Sequence, residues 1–281
     1  MKIAWIGTGV MGAPMALNLS RGGYDVVVQN RTFSKAQALE PEVKAFETIE
    51  DAVKDADVVF SIVGYPNDVE NVANTVFRTC KPGTIYVDMT TSSPSLAKSL
   101  YEKGHSLGIH CVDAPVTGGD VGAINATLSI MVGGSVESYE TIKPLLEKMG
   151  TTITYMGPGG SGQHAKLANQ TAIAGAIAGC AEALTYAIHH GLDPHAMLAV
   201  ITGGSASSWQ AANNGPKMIT DDMNPGFFTK HFLKDLKLAS EEKGLLSLPV
   251  LQQVTQIYQS LVDLGYENDG TQCIIHHYNS K

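Results

Sequence analysis

The hydrophobic positions change rhythm partway along the chain. In the first half, short apolar runs alternate with segments whose apolar residues recur every three to four positions. The runs at 2–6, 24–29, 58–63, 84–87, 109–112, 127–132 and 152–155 predict strands. The periodic segments at 11–21, 33–39, 68–79, 95–107 and 136–148 predict helices between them. Strand and helix in alternation build a mainly parallel sheet with helices on both faces. Beyond the glycine-rich stretch 157–162 no strand pattern follows. A long helical pattern covers 163–190 and closes at Gly191, and Asp193-Pro194 supplies the next helix with an N-cap and a first-turn proline. Further helices are predicted at 229–243 and 249–264, with a short one at 271–278. The expected architecture is a doubly wound α/β domain over 1–160 and an all-α domain over 161–281.

The first strand runs straight into Gly7-Thr8-Gly9-Val10-Met11-Gly12, a GxGxxG turn between a strand and a helix. Gly7 permits the tight turn, Gly9 lets the backbone approach a pyrophosphate, and Gly12 lets the helix pack closely on the strand. The helix N-terminus offers N–H groups and positive potential to the phosphates. In this setting the motif points to a Rossmann domain holding a dinucleotide. The second strand ends in Gln29-Asn30-Arg31-Thr32. An NAD site ordinarily places Asp or Glu here to accept from the ribose 2′-OH. Asn30 carries no charge to repel a 2′-phosphate, Arg31 can bind one through its fork of donors, and Thr32 adds a hydroxyl. On this chemistry NADP is preferred and NAD remains possible; the plainer alternative makes Arg31 a surface charge beside the loop.

Composition narrows the classes. The 281 residues are 44% hydrophobic and 16% charged, which excludes a disordered or low-complexity scaffold. Nineteen Lys and Arg against 27 Asp and Glu leave a net charge of −8, unfavourable for nucleic acid or an anionic membrane surface. Cys80, Cys111, Cys180 and Cys273 form no CxxC pair and match neither a zinc site nor a disulfide framework. The histidines lack carboxylates at ligand spacing, so no metal is expected. The chain enters a strand pattern directly after Met1-Lys2, without a signal-peptide pattern. The bland stretch 171–188 contains Gly175, Gly179 and Glu182 and reads as a buried helix, not a membrane span. A reducing cytoplasmic setting is expected, with no nucleic-acid or membrane partner.

Four separated blocks carry a resemblance. The first is Gly7-x-Gly9-x-Met11-Gly12-x-Pro14-Met15-Ala16-x-Asn18-Leu19. The second is Asp113-Ala114-Pro115-Val116-Thr117-Gly118-Gly119. The third is Gly159-x-x-Gly162-x-x-x-Lys166-x-x-Asn169-Gln170, and the fourth Lys234-Asp235-Leu236-x-Leu238-Ala239. In this order they resemble the β-hydroxyacid dehydrogenases over essentially the whole chain. The resemblance implies a Rossmann domain followed by a helical domain, with the active site in the cleft between. It implies reversible hydride transfer between NADP(H) and a small β-hydroxy acid or aldehyde acid, of the 3-hydroxyisobutyrate, tartronate semialdehyde, succinic semialdehyde or glyoxylate class.

The same resemblance implies roles for individual residues. Lys166 is the general acid/base. A lysine in a largely closed cleft loses hydration, which lowers its proton affinity toward neutrality, and its neighbours Ala165, Leu167 and Ala168 are not those of a solvated charged face. Asn169 and Gln170 follow at i+3 and i+4 on the same face and are implied to contact substrate. The family more often has Asn where this chain has Gln170, and a capping or interhelical hydrogen bond is an equal reading of that side chain. Thr117, Gly118 and Gly119 make a cradle for the substrate carboxylate; the family usually has Ser in place of Thr117, whose extra methyl narrows the pocket. Thr91 matches a threonine near the nicotinamide ribose, Val63 a backbone contact to the cofactor, and Lys234 a residue reaching the nicotinamide or the substrate carboxylate. Ser92 and Ser93 read as N-caps of the helix after Pro94. The small-residue run 172–183 lets another helix approach closely, and the resemblance implies that it packs across the subunit interface of a homodimer or homotetramer. Two other readings share the motif: an imine reductase-like enzyme, whose relatives generally replace Lys166, and a non-catalytic NADP-binding protein, which would be expected to have lost it.

Overall fold

In a computed structural model that describes residues 1–279, the first strand, β1 (Lys2–Ile6), is covered on both faces. Ile3 and Trp5 belong to one hydrophobic cluster, Ala4 and Ile6 to another. Successive side chains on a strand point to opposite faces, so a strand between two helical layers must be apolar throughout. The chain continues through α1 (Gly12–Arg21), β2 (Asp25–Gln29), α2 (Phe33–Gln37), β3 (Lys44–Phe46), α3 (Ile49–Val53), β4 (Val58–Ser61) and α4 (Pro66–Thr79). Then come β5 (Ile85–Asp88), α5 (Pro94–Ser106), β6 (His110–Asp113), β7 (Val116–Thr117), α6 (Gly119–Ile124), β8 (Leu128–Gly133), α7 (Val136–Leu146) and β9 (Gly150–Gly157). The two-sided burial repeats along the sheet. Phe60, Val87 and Val112 face the cluster of Trp5, whereas Val59, Tyr86 and Cys111 face the other. Each large side chain so buried contributes about 1.5–3 kcal/mol.

The strands form one sheet in the order β3-β2-β1-β4-β5-β6-β8-β7, with β9 paired to β8. From β1 to β6 every pairing is parallel; β8 runs antiparallel to β6 and β7 and parallel to β9. The expected doubly wound, mainly parallel sheet is what forms. Strand order reverses between β1 and β4, the switch point at which open α/β sheets receive ligands. Parallel pairing also brings the loops after β1, β2, β4, β5 and β6 to one edge.

The first compact unit ends at Lys166 and the second begins at Leu167, both on α8 (Ser161–His189). The second unit is helical: α9 (Pro194–Gly203), α10 (Trp209–Thr220), α11 (Thr229–Glu242), α12 (Pro249–Asp263), a 3-10 turn at Thr271–Cys273 and α13 (Ile274–Asn279). Its core gathers Ile177 and Leu184 of α8, Phe232 and Leu236 of α11, Tyr258 of α12 and Ile274 of α13. The Phe232 and Tyr258 rings meet edge to face at 5.0 Å. Asp193 caps α9 as its position predicts, accepting from the His195 N–H.

Five elements escape the hydrophobic pattern. β3 and β7 are too short to display alternation, and α3 and α6 are single short turns. α10 carries Gly215 and Pro216 in its interior, residues that ordinarily mark a helix boundary. Of the two serines expected to cap α5, only Ser93 does so, accepting from the Leu96 N–H.

Candidate functional site

The glycine turn after β1 is shaped by close approaches on one side and open space on the other. Gly7 has φ +98°, and a Cβ there would strike the Ile62 carbonyl. A Cβ on Gly12 would strike the Gly7 carbonyl oxygen, which already accepts from the Trp5 indole N–H at 2.9 Å. Above Gly9 a Cβ would meet nothing within 4 Å, and Val10 beside it is exposed. The N-terminus of α1, reached through Met11, has no side-chain cap. The Thr8 hydroxyl is buried without a hydrogen-bond partner. An uncapped helix start, an open glycine and an orphaned hydroxyl in one turn fit a dinucleotide pyrophosphate.

Asn30, just past β2, closes back on this turn: its Oδ1 accepts from the Thr8 N–H at 3.0 Å, and its Nδ2 donates to the Thr32 carbonyl at 3.0 Å. The Arg31 side chain is 89% exposed and lies 3.2 Å from Asp68 Oδ1. Asp68 also accepts from the Tyr65 N–H through Oδ2, so it caps α4 and holds Arg31 at once. A carboxylate therefore reaches this cation from α4 and not from the end of β2. An exposed pair of this kind is worth at most about 1 kcal/mol, so the guanidinium can exchange it for a phosphate.

At the carboxyl ends of β5 and β6 the core becomes polar. Ser61 donates to Asp88 Oδ1 at 3.0 Å and also bonds the Tyr86 hydroxyl at 2.8 Å. Asp88 Oδ1 accepts from the Thr90 N–H, and the Thr90 hydroxyl oxygen accepts from the Val63 N–H at 2.9 Å. Asp113, opposite Asp88 in the β5–β6 register, accepts from Gly160 N–H at 2.7 Å and Gln163 N–H at 2.8 Å. Burial pushes Asp88 up to about 7 and Asp113 up to about 6, against the hydrogen bonds that favour their charged forms. A Cβ on Gly162 would meet the Asp113 and Met131 carbonyl oxygens at 2.5 Å, so only glycine lets α8 start this close to β6 and β8. Lys166 follows on α8 and is 6% exposed.

Thr117 ends β7, and Gly118 and Gly119, both at positive φ, lead into α6; a Cβ on Gly119 would meet nothing within 4 Å. In the second unit the Asn169 amide donates to Gln170 Oε1 at 3.0 Å, Gln170 Nε2 donates to Asp235 Oδ2 at 2.7 Å, and Lys234 pairs with Asp235 Oδ1 at 3.0 Å. Gln170 therefore makes an interhelical hydrogen bond from α8 to α11, and Asp235 is buried between an amide and an ammonium. Thr91 lies in the loop after β5, between Thr90 and Ser92. The sequence reading missed Asp88, Thr90, Asp113, Gln163 and Asp235 as polar anchors. The available signal was a carboxylate closing each of two apolar strands, Tyr86-Val87-Asp88 and Cys111-Val112-Asp113.

Comparisons with known proteins agree over both units. A family model for the NAD binding domain of 6-phosphogluconate dehydrogenase matches residues 2–157. A second, for the NAD-binding region of NADP-dependent 3-hydroxyisobutyrate dehydrogenase, matches 160–278. A probable mitochondrial 3-hydroxyisobutyrate dehydrogenase-like protein of Arabidopsis thaliana is 41% identical, covering 98% of this chain and 84% of that one. The 2-hydroxy-3-oxopropionate reductase of Escherichia coli is 36% identical, covering 97% and 94%. Among solved structures, Mycobacterium tuberculosis 3-hydroxyisobutyrate dehydrogenase with L-serine superposes with a TM-score of 0.89 at 32% identity, covering 98% of each chain.

The two helix-facing glycines should separate by experiment. Gly12→Ala is expected to cost about 1–3 kcal/mol in urea unfolding. Gly9→Ala should leave stability within about 0.5 kcal/mol but weaken NADPH binding at least about tenfold in a fluorescence titration. The buried Asp88 makes a pH-dependent prediction. Unfolded, it ionises near 3.8, and folded at about 7. Between those values the native chain keeps a proton that the unfolded chain has lost, so this group's contribution to stability falls as pH rises toward 7. Asp88→Asn abolishes that titration, so its Tm relative to the unsubstituted protein should climb by about 5 °C between about pH 5 and about pH 8.

Proposed function

This chain belongs to the β-hydroxyacid dehydrogenase family, NAD(P)-dependent oxidoreductases acting on the CH–OH group of hydroxy acids, and we propose that it interconverts a small β-hydroxy acid and its aldehyde acid with NADP(H) as preferred cofactor. The observation that carries the reading is a buried lysine, Lys166, on a helix whose start is anchored at the ligand-receiving edge of the sheet. Lysine is almost never fully buried unless a specific partner or task holds it there. The turn from Gly7 to Gly12 holds the pyrophosphate, with Thr8 contributing its hydroxyl. When bound, the nicotinamide cofactor accepts or supplies the hydride. In the oxidative direction Lys166 Nζ takes the proton of the substrate hydroxyl; in the reductive direction it returns that proton to the carbonyl oxygen.

The remaining residues orient the reactants. Thr117, Gly118 and Gly119 receive the substrate carboxylate, where the open side of Gly119 leaves room for it. Asn169 donates to the substrate, its amide plane set by Gln170, which is itself held by Asp235. Lys234, paired with Asp235, keeps the role that the family resemblance implies, reaching the nicotinamide or the substrate carboxylate. Val63 and Thr91 line the cofactor, and the Val63 N–H is already committed to Thr90. The preference for NADP is supported by the neutral Asn30 and the exposed Arg31, with Thr32 beside them. Substrates of the 3-hydroxyisobutyrate, tartronate semialdehyde, succinic semialdehyde and glyoxylate class fit this scheme, because each presents a carboxylate near a hydroxyl or carbonyl carbon.

Turnover of a panel of these acids, followed through NADPH absorbance, tests the reading. Lys166→Ala should lower kcat by about 10²–10⁴-fold with NADPH binding nearly unchanged; equal turnover in both proteins would refute the role given to Lys166. Arg31→Asp should shift the NADP-to-NAD ratio of kcat/KM by about 10–100-fold toward NAD, the loss expected for a charge-assisted phosphate contact. An unchanged ratio would overturn the NADP preference.

A further inference from the structure

One fully buried amide joins the helix of Lys166 to the loop of Thr91. The Gln163 side chain has no exposed surface. Its Nε2 donates to the Thr90 carbonyl at 2.7 Å, and its Oε1 accepts from the Ser92 N–H at 2.9 Å. The two halves of the amide thus pair with the backbone on either side of Thr91, as a neighbouring peptide would. The Gln163 backbone is fixed as well, because its N–H is held by Asp113. On α8, Gln163 and Lys166 stand at i and i+3 and share a face. The path from Thr91 to Lys166 therefore runs through one side chain and a single helical turn.

We infer that Gln163 is a positioning residue for the reaction: its amide locks the loop from Thr90 to Ser92 onto the first turn of α8 and so sets where Thr91 and Lys166 stand relative to each other. This rests on the roles given to those two residues under the proposed function. The chemistry is demanding, because this fully buried site needs one acceptor and one donor at a fixed separation. An apolar side chain of equal length leaves a buried N–H and a buried carbonyl without partners. An ionised glutamate can accept from Ser92 but has no hydrogen for Thr90, and it sets a charge against that carbonyl. A protonated glutamic acid supplies both, an acceptor oxygen and an O–H donor, in the shape of glutamine.

That difference makes a switchable test. Around a carboxyl at this position stand Asp113 from the end of β6, Asp88 from the end of β5 acting on the Thr90 N–H, and Lys166 on α8 itself. Burial and the two carboxylates favour its neutral form; the lysine opposes them. Gln163→Glu, Gln163→Met, Gln163→Asn and Lys166→Ala are compared with the unsubstituted enzyme, as full chains with cofactor, from about pH 5.5 to about pH 9. The ratio of kcat for Gln163→Glu to that of the unsubstituted enzyme should lie within about threefold of unity at the acid end and fall by about 30-fold or more across a one-proton transition. Taking the ratio removes pH effects that do not couple to residue 163, and the Gln163→Asn and Gln163→Met profiles show what the neighbouring groups contribute without a carboxyl there. Gln163→Met should be impaired at every pH. Gln163→Asn keeps the amide but is one methylene short, and should lose about tenfold or more in kcat with a smaller change in KM.

A second readout needs no turnover: hydrogen exchange of the cofactor-free protein, resolved to peptides spanning 88–94 and 160–168. In Gln163→Glu both peptides should gain exchange together as pH rises, relative to the unsubstituted protein, while circular dichroism reports that the fold persists. Should Gln163→Glu unfold at high pH, the Gln163→Asn and Gln163→Met comparison decides in its place. A pH-independent ratio in a folded Gln163→Glu, or a kcat of Gln163→Met and Gln163→Asn matching the unsubstituted enzyme, would overturn the inference. Full activity of Lys166→Ala would instead strike the proposed function, whatever the Gln163 variants do.

Discussion

The start of α8 depends on one carboxylate. Asp113 closes β6 and takes the N–H groups of Gly160 and Gln163 with its two oxygens. The first N–H groups of a helix have no partner within it, so a helix that begins in the interior needs an acceptor from elsewhere. A carboxylate placed there also gains from the positive end of the helix dipole. The anchor is not without cost, since burial raises the proton affinity of Asp113 and its hydrogen bonds only partly offset this. Gly133 and Gly162 make the approach possible, because a Cβ on either would stand within 2.6 Å of Asp113 oxygens or nearby backbone. Every side chain on the first turns of α8, Lys166 among them, takes its position from this contact.

The sheet provides the fixed edge against which that anchor works. Its central strands are apolar on both faces, so their register is held by two cores at once. The carboxyl ends of β4, β5 and β6 then exchange apolar for polar residues within one step: Ser61, Asp88 and Asp113. These groups bond one another and the loop backbone, from Tyr86 through Ser61 to Asp88, and from Val63 to Thr90. A satisfied buried network of this kind rigidifies loops that would otherwise be the mobile part of the unit. Below it the glycine turn stays open on its outer side, as a surface meant for phosphates must.

In the second unit a different polar chain serves α8 further along. Asn169, Gln170, Asp235 and Lys234 are linked in series, an amide to an amide to a carboxylate to an ammonium. A buried carboxylate is costly unless cation and hydrogen bonds both reach it, and here one arrives from each side. The arrangement gives Gln170 the interhelical hydrogen bond that is one of the two readings of its side chain. The glutamine side chain is long enough to span from α8 to α11.

By itself the sequence determined the local elements and the chemistry of the motifs. Continuous apolar runs located the long strands and apolar residues every three to four positions located the helices, because burial on both faces of a strand, or on one face of a helix, writes those patterns into the letters. The glycine turn was legible for a similar reason: two close approaches, at Gly7 and Gly12, leave no room for a side chain, and Gly9 between them keeps the outer side open. Only the tertiary structure revealed what pairs across long separations. Asp68 with Arg31, Asp113 with the start of α8, Gln163 with Thr90 and Ser92, and Gln170 with Asp235 join residues 37 to 73 positions apart. A hydrogen bond between distant residues leaves no periodic trace, since one buried polar side chain among apolar neighbours looks the same whichever partner it finds. Folding brings that partner to it, and so decides which polar residues hold the site and which only border it.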